Sequence, residues 1–377
     1  MNADRRDTSA ICLPPQLVQY AWQLKAEFAV FVRIAVVAVV AAILASLVLG
    51  AMQPGSAQAQ ADFFRGKTVT MLIGYTSGGG YDLYARVLSK HMGRHIPGSP
   101  SIVPQNMPGA GSLRVANVLY NTASKDGLTI GMIGRGMAME PLIGASQPQY
   151  DARKFTWLGS GSDQVSLCAT WNTSPVKRWS DMLATPFTVG GEGSGSDPDM
   201  FAMMIRNLFG VKVRLVSGYP GGNEINLAME RGEVDGRCGW SWSSIKITKP
   251  DWVAGKKINL VLQMALKKSP ELADVPLIMD FAHSERERQI LRLILARQQM
   301  GWPFLAPPGL PPERAQALRQ AFDATMKDAE FLAEAKQRQM DVNPMSAAAI
   351  DQLVSELYQT PQDVVAAAKA VIAEGAR

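Results

Sequence analysis

The stretch Lys67-Thr68-Val69-Thr70-Met71-Leu72-Ile73-Gly74-Tyr75-Thr76-Ser77-Gly78-Gly79-Gly80-Tyr81-Asp82-Leu83-Tyr84-Ala85-Arg86 decides the fold class. Lys67 to Ile73 is apolar and β-branched-rich, as a strand requires. The run stops at Tyr75-Thr76-Ser77-Gly78-Gly79-Gly80, and Tyr84, Val87, Leu88 and Met92 then recur at helical spacing. Strand, glycine turn and helix in this order are the unit of an α/β layer.

Working outward, Ile102-Val103, Leu128 to Ile133 and Phe155 to Leu158 are further short strands with helical segments between them, which predicts a parallel, helix-covered sheet. A second set begins with Phe187-Thr188-Val189, followed by the loop Gly190-Gly191-Glu192-Gly193-Ser194-Gly195-Ser196. Ser196 with Asp199 fits a capping box, Pro198 fits a first helical turn, and Phe201, Met204, Ile205 and Leu208 form an apolar face ending at Gly210. Val211 to Val216 reads as a strand, and Tyr219-Pro220-Gly221-Gly222-Asn223 as another glycine turn entering a helix. After Ile258 to Met264 and a helical segment over Glu285 to Ala296, prolines 303, 307, 308, 311 and 312 suggest a connector or hinge return. Glu313 onward reads as three or four amphipathic helices packed back on the first lobe.

The chain has 377 residues and a net charge of +5, spread without a basic arm or an aromatic-interleaved basic face, so nucleic acid is not expected as a partner. Arg33, the apolar run Ile34 to Leu49 and the small residues ending in Ala57-Gln58-Ala59-Gln60-Ala61 read as an export signal cleaved after Ala59 or Ala61. An uncleaved anchor is the alternative, because the run approaches spanning length. Residues 1–61 are thus a leader, and the remainder is expected in the periplasm as a monomer. In an oxidising compartment Cys168 and Cys238 either bridge or remain two buried thiols.

His91 and His95 are four apart but lack an evident third ligand, so they read as solvated helix residues and no metal is expected. There is no nucleophile elbow, phosphate-binding Walker loop or complete dinucleotide fingerprint, and neither catalytic residues nor a cofactor are expected.

Three glycine and hydroxyl loops remain, Tyr75 to Asp82, Gly190 to Asp197 and Tyr219 to Glu224, each between a strand and a helix. Glycines let the backbone approach a ligand, and helix N-termini offer unpaired N–H groups that favour an anion. Arg135, between Gly134 and Gly136, is the candidate fixed cation for a carboxylate; a solvated surface arginine is the alternative. Trp240 and Trp242 alternate like a strand end and could wall a pocket or simply fill the core.

Several segments together resemble the Bug-type receptors, the substrate-binding proteins of tripartite tricarboxylate transporters. The stretch from Met71 to Arg86 looks like their first strand-loop-helix. Asn106-Met107-Pro108-Gly109-Ala110-Gly111, Asp126-Gly127-Leu128-Thr129, Tyr219-Pro220-Gly221 with Gly232-Glu233-Val234-Asp235, Asp274-Val275-Pro276 and Ala306-Pro307-Pro308-Gly309 follow in family order. The resemblance implies a two-lobed type 2 periplasmic-binding fold, with lobe 1 from residues 62–167 plus 298–377 and lobe 2 from 168–297. It implies a receptor that captures a small organic carboxylate, di- or tricarboxylic or aromatic, and delivers it to the membrane subunits of a tripartite transporter. Presentation of the ligand to a sensor kinase is the alternative role.

The implied ligand contacts come from Tyr75, Thr76, Ser77, Gly78, Gly79, Tyr81 and Asp82 in the first loop, and from Ser194, Gly195, Ser196, Tyr219, Gly221 and Asn223 in the second lobe. Arg135 and Trp240 complete the expected site. Thr76-Ser77 stand where the family usually has Pro-Ala, and Asp197 where a His is common, so the usual ligand does not carry over.

Overall fold

The computed structural model describes residues 60–144 and 147–373. The export signal expected over residues 1–61 lies, except for its last two residues, outside them. No helix among the described residues is long and apolar enough to cross a membrane.

Strand β1 (Thr68–Ile73) forms where the apolar run predicts it, pairing in parallel with β2 (Ser101–Asn106) on one side and β3 (Thr129–Met132) on the other. β4 (Thr156–Ser160) also belongs to this sheet, but the sheet is mixed rather than parallel. The proline-rich crossing read as a connector supplies a strand, β10 (Pro303–Ala306), inserted antiparallel between β3 and β4. A two-residue strand, β11 (Met345–Ser346), pairs with the outer side of β4.

A second, five-stranded sheet has the order β7-β6-β8-β5-β9, from β5 (Ser166–Trp171), β6 (Phe187–Gly190), β7 (Val213–Val216), β8 (Gly236–Ser241) and β9 (Ile258–Met264). β5 was not legible as a strand, although it sits between β8 and β9 and is antiparallel to both. The chain leaves the first sheet after Ser160 and returns to it at Pro303, so two segments of chain pass between the sheets.

Six helices matter for the site and its frame: α1 (Gly80–Met92), α2 (Asp197–Phe209), α3 (Gly222–Glu230), α4 (Trp242–Thr248), α5 (Glu285–Leu295) and α6 (Pro312–Thr325). The tail continues with α7 (Ala329–Gln337), α8 (Ala347–Tyr358) and α9 (Gln362–Ile372). α6 and α7 pack on α1, and α8 packs on β4. The last helix departs from the expectation that the tail returns to the first lobe, because α9 lies against α2 and α5. Its apolar residues Val364, Val365, Ala368 and Ile372 repeat at helical spacing, and the second lobe offers the matching face.

Under β1 and β10 lies an aromatic core of Tyr84, Trp302, Phe304 and Phe322, all buried, with the Tyr84 and Trp302 rings stacked at 5.4 Å. Burial of such rings contributes about 1.5–3 kcal/mol each and fixes the start of α1 against the sheet. The expectation of solvated histidines is corrected here. His91 is buried, with Nε2 2.8 Å from Glu334 Oε2, and His95 Nε2 lies 2.7 Å from Asp328 Oδ2. Arg94 bonds both Asp328 and Glu330, so its guanidinium fills the space between the acids and His91 as an ion-pair network tying α7 to α1.

Cys168 and Cys238 face each other across β5 and β8 and form a disulfide. Their pairing depends on a register shift: Leu167 pairs Trp240 and Cys168 pairs Cys238, which leaves Gly239 unpaired as a bulge. Gly239 has φ +84°, and a Cβ there would lie 2.6 Å from the Asp197 carbonyl carbon, so glycine is required by both backbone and space.

Candidate functional site: a charged cleft between the two sheets

The helix starts predicted from the glycine loops converge. α1 from the first lobe and α2, α3 and α4 from the second bring their N-terminal turns to one cleft. A helix's first turn carries N–H groups without intrahelical partners, so the cleft collects several such donors. The lobes are drawn together across it. Thr76 Oγ1 donates to Glu224 Oε2 at 3.1 Å, Asn223 Nδ2 to Ser77 O at 3.1 Å, and Gly111 N–H to Glu192 O at 3.1 Å. The enclosed space is about 40 Å³, room for a few waters, so an organic ligand requires the cleft to open or its side chains to move.

Of the residues singled out by sequence, Tyr75, Thr76, Gly79, Tyr81, Arg135, Gly195, Ser196, Asn223 and Trp240 line this space. Ser77, Gly78, Asp82, Ser194, Tyr219 and Gly221 do not. Asp82 is spent holding its own loop: Oδ2 accepts from the Gly78 N–H at 2.8 Å and from Ser77 Oγ at 3.4 Å, while Arg86 and Asn106 bind the same carboxylate at 2.7–2.9 Å. Burial would raise the pKa of Asp82, but the Arg86 bond, the Gly78 amide and Asn106 outweigh it and hold the carboxyl below its usual range. Ser194 points to solvent, and Gly221 packs under Thr76, where a Cβ would meet Oγ1 at 2.2 Å. Trp242 starts α4 and donates to Glu271 Oε2, so it does not wall the cleft beside Trp240.

Arg135 is buried and carries a partner that sequence reasoning did not assign to it. Nε donates to Asp197 Oδ2 at 2.7 Å, and Nη2 lies 2.6 Å from the same oxygen. Nη2 also donates to Ser166 Oγ and Ser241 Oγ, both at 2.9 Å, and Nη1 reaches Gly301 O at 3.4 Å. Burial pulls the Arg135 pKa down, yet the facing Asp197 carboxylate more than restores it. Asp197 further accepts from Gln298 Nε2 at 3.0 Å and faces Arg297 Nη1 at 3.4 Å. A second buried pair, Arg237 Nη2 to Glu192 Oε1 at 2.6 Å, lies wholly in the second lobe. Burial raises the pKa of Glu192; Arg237 only partly offsets that, and Asp199 and Asp197 add to it.

Arg237, Glu192, Asn226 and Trp302 line the cleft without having been singled out. Glu192 lies in the second glycine loop, where its charge among glycines is the available signal. Arg237 was hidden by strand parity: residues 237 and 240 would fall on opposite faces, and the bulge at Gly239 puts both on the cleft side. The Arg237 guanidinium lies 5.5 Å from the Trp240 ring centroid. Tyr75 and Tyr81 stack at 4.4 Å, and Trp302 meets Tyr81 edge-on at 4.8 Å, completing an aromatic wall. Burial raises both tyrosine pKa values, so their hydroxyls stay protonated.

No protein-family model matches the chain. Among curated proteins it is similar to the UPF0065 protein in gbd 5'region of Cupriavidus necator, 28% identical over 298 residues, which spans 76% of this chain and 82% of that protein. Among solved structures, the periplasmic binding protein BugD superposes with a TM-score of 0.67 at 19% identity, covering 82% of this chain and 98% of BugD. MatC of Rhodopseudomonas palustris, with bound malate, has a TM-score of 0.63 at 21% identity over 82% of this chain and all of MatC (100%). A further R. palustris protein, with adipate, has a TM-score of 0.64 at 18% identity, covering 80% of this chain and 97% of its own. The chain is a two-lobed α/β protein with the fold of the Bug-type periplasmic binding proteins, the family its sequence motifs resemble.

Proposed function

We propose that the chain is an extracytoplasmic, non-enzymatic solute-binding receptor that captures a small organic carboxylate between its lobes and delivers it to a tripartite-type membrane transporter. The observation that carries this reading is the convergence of helix N-termini from both lobes on one cleft that also holds the buried guanidinium of Arg237. Donors fixed in a low-dielectric cleft suit an anion. The bound malate and adipate of two fold relatives support the same ligand chemistry. Tyr75, Thr76, Gly79, Tyr81, Gly195, Ser196, Asn223 and Trp240 are its proposed walls.

In this reading the lobes hinge about the two crossings between the sheets, and the ligand stabilises closure by bridging them. Calorimetric titration of the exported chain against citrate, C4-dicarboxylates, aromatic carboxylates, hydroxy acids and amino acids tests it. Binding of at least one carboxylate at micromolar concentration is expected. Silence toward all of them, together with binding of a neutral sugar, would overturn the reading.

A further inference from the structure

The polar groups of the cleft are unevenly spent. Arg135 is committed: the Asp197 carboxylate covers its Nε side, and Ser166, Ser241 and Gly301 take other N–H directions. Arg237 is not. Its Nη2 holds Glu192, but its Nε, although the side chain is nine-tenths buried, donates to no partner among the described residues. Asn226, also buried and lining the cleft, leaves Oδ1 without a partner among the described residues. Trp302 Nε1 is a second buried donor of the cleft without a partner among the described residues, and because an unpaired buried polar atom is costly, a site with spare donors at Arg237 and Trp302 and a spare acceptor at Asn226 is matched by a ligand that supplies the complements.

Both side chains lie along α3. The Arg237 head lies over Gly222, where a Cβ would sit 2.2 Å from Nη1, and Gly222 opens α3. Asn226 is four residues further along the same helix face, one turn away, or about 6 Å of rise. The N-terminal amides of α3 add to the positive end of this pair. Asp197 and Glu192 meanwhile bring two carboxylates into the cleft, and a ligand with a second carboxylate would face them.

Resting on the receptor reading, we propose that the ligand is a monocarboxylate with a hydroxyl or amino donor within two carbons of the carboxylate. Arg237 takes the carboxylate, Asn226 accepts from the donor, and Asp197 acts as a built-in counter-ion that bars a second carboxylate from Arg135. Asp197 is thus a specificity-determining residue.

The test is calorimetric titration with three matched trios in which one carbon carries hydrogen, hydroxyl or carboxylate: propionate, lactate and methylmalonate; butyrate, 3-hydroxybutyrate and methylsuccinate; phenylacetate, mandelate and phenylmalonate. The amino counterparts run alongside. In the trio that fits, the hydroxy or amino acid should bind about tenfold tighter than the plain acid and the diacid. Asp197→Asn should raise diacid affinity about tenfold. The charge-neutral double variant Arg237→Gln with Glu192→Gln, which leaves no lone buried charge, should weaken every carboxylate at least about tenfold while melting as a folded protein. A wild-type preference for the diacid or the plain acid, a result that needs no variant to fold, overturns the inference and leaves the receptor reading intact, as does unchanged affinity in the double variant. Failure of every carboxylate, including those of the broader panel, overturns the receptor reading and this inference with it.

Discussion

Asp82 and Asp199 hold the same place in two helices. Each is the third residue, of α1 and α2 respectively, and each turns its carboxylate back over the glycine loop that precedes it. Asp82 binds the Gly78 amide, is neutralised by Arg86 one turn further along and accepts a hydrogen bond from the Asn106 amide. Asp199 has no such cation among the described residues: its oxygens accept from the Glu192 and Gly193 amides at 2.6 and 3.0 Å and from the Ser196 and Ser217 hydroxyls. The capping box expected at Ser196 therefore forms only in part, since Ser196 caps the Asp199 amide while the Asp199 carboxylate reaches the loop. The first loop is closed by a charge drawn from its own helix and an amide donor from β2. The second is closed by dipoles, and its helix adds a further acid, Asp197, that reaches across to Arg135 where α1 has only Gly80.

This contrast can be broken by substitution. Asp199→Ala removes four bonds, two of them to amides in a buried loop, and should cost about 3 kcal/mol or more in urea unfolding. A loss below about 1 kcal/mol would show that the second loop holds itself. Asp82→Asn should cost less, about 1–2 kcal/mol, because Arg86 is partly exposed and returns to solvent when released. Its cost should also depend on pH. The pKa of Asp82 is depressed in the folded chain, so its contribution is complete above the ordinary carboxylate range near 3.9 and fades as pH falls through the depressed value. Wild-type and variant stability curves should thus converge in acid; a constant gap would remove the charge from the account.

The smallest effect on stability is expected at Gly79, whose φ is −79° and where a Cβ would meet only Thr76 O at 3.9 Å. Gly79→Val should change stability by about 0.5 kcal/mol or less while filling the cleft and weakening ligand binding about tenfold. Unchanged affinity would take the first loop out of the site. The adjacent Gly80→Val is the sharpening control, because a Cβ there would lie 2.5 Å from Ser244 Oγ and 3.0 Å from Trp302, and overpacking costs about 1–3 kcal/mol.

Much of the fold was legible because it is written in short periods. β1, α1, β6, α2 and β9 declare themselves through apolar spacing, glycine stops and a first-turn proline. β10 was not legible, since prolines argue for a connector and only the space between β3 and β4 makes Pro303 to Ala306 a strand. β5 was missed for a similar reason: Ser166, Cys168 and Thr170 look undistinguished until strands on both sides bury them. In the site, the glycine loops were found from composition, and Arg135 from its charge beside two glycines. Arg237 needed the bulge at Gly239, which appears only once Cys168 and Cys238 are paired.

What the amino-acid sequence determined by itself was the repeated strand-loop-helix unit and the placing of glycine loops at helix starts, because those depend on residues within about one or two helical turns of one another. Tertiary structure alone decided how the cleft's charges are shared out. Arg135 and Asp197 are separated by 62 residues and Glu192 and Arg237 by 45, so which guanidinium is covered and which remains available follows from tertiary packing, between the lobes for the first pair and within the second lobe for the other. Chemical identity placed arginines and acids in the cleft, and three-dimensional proximity chose the pairs.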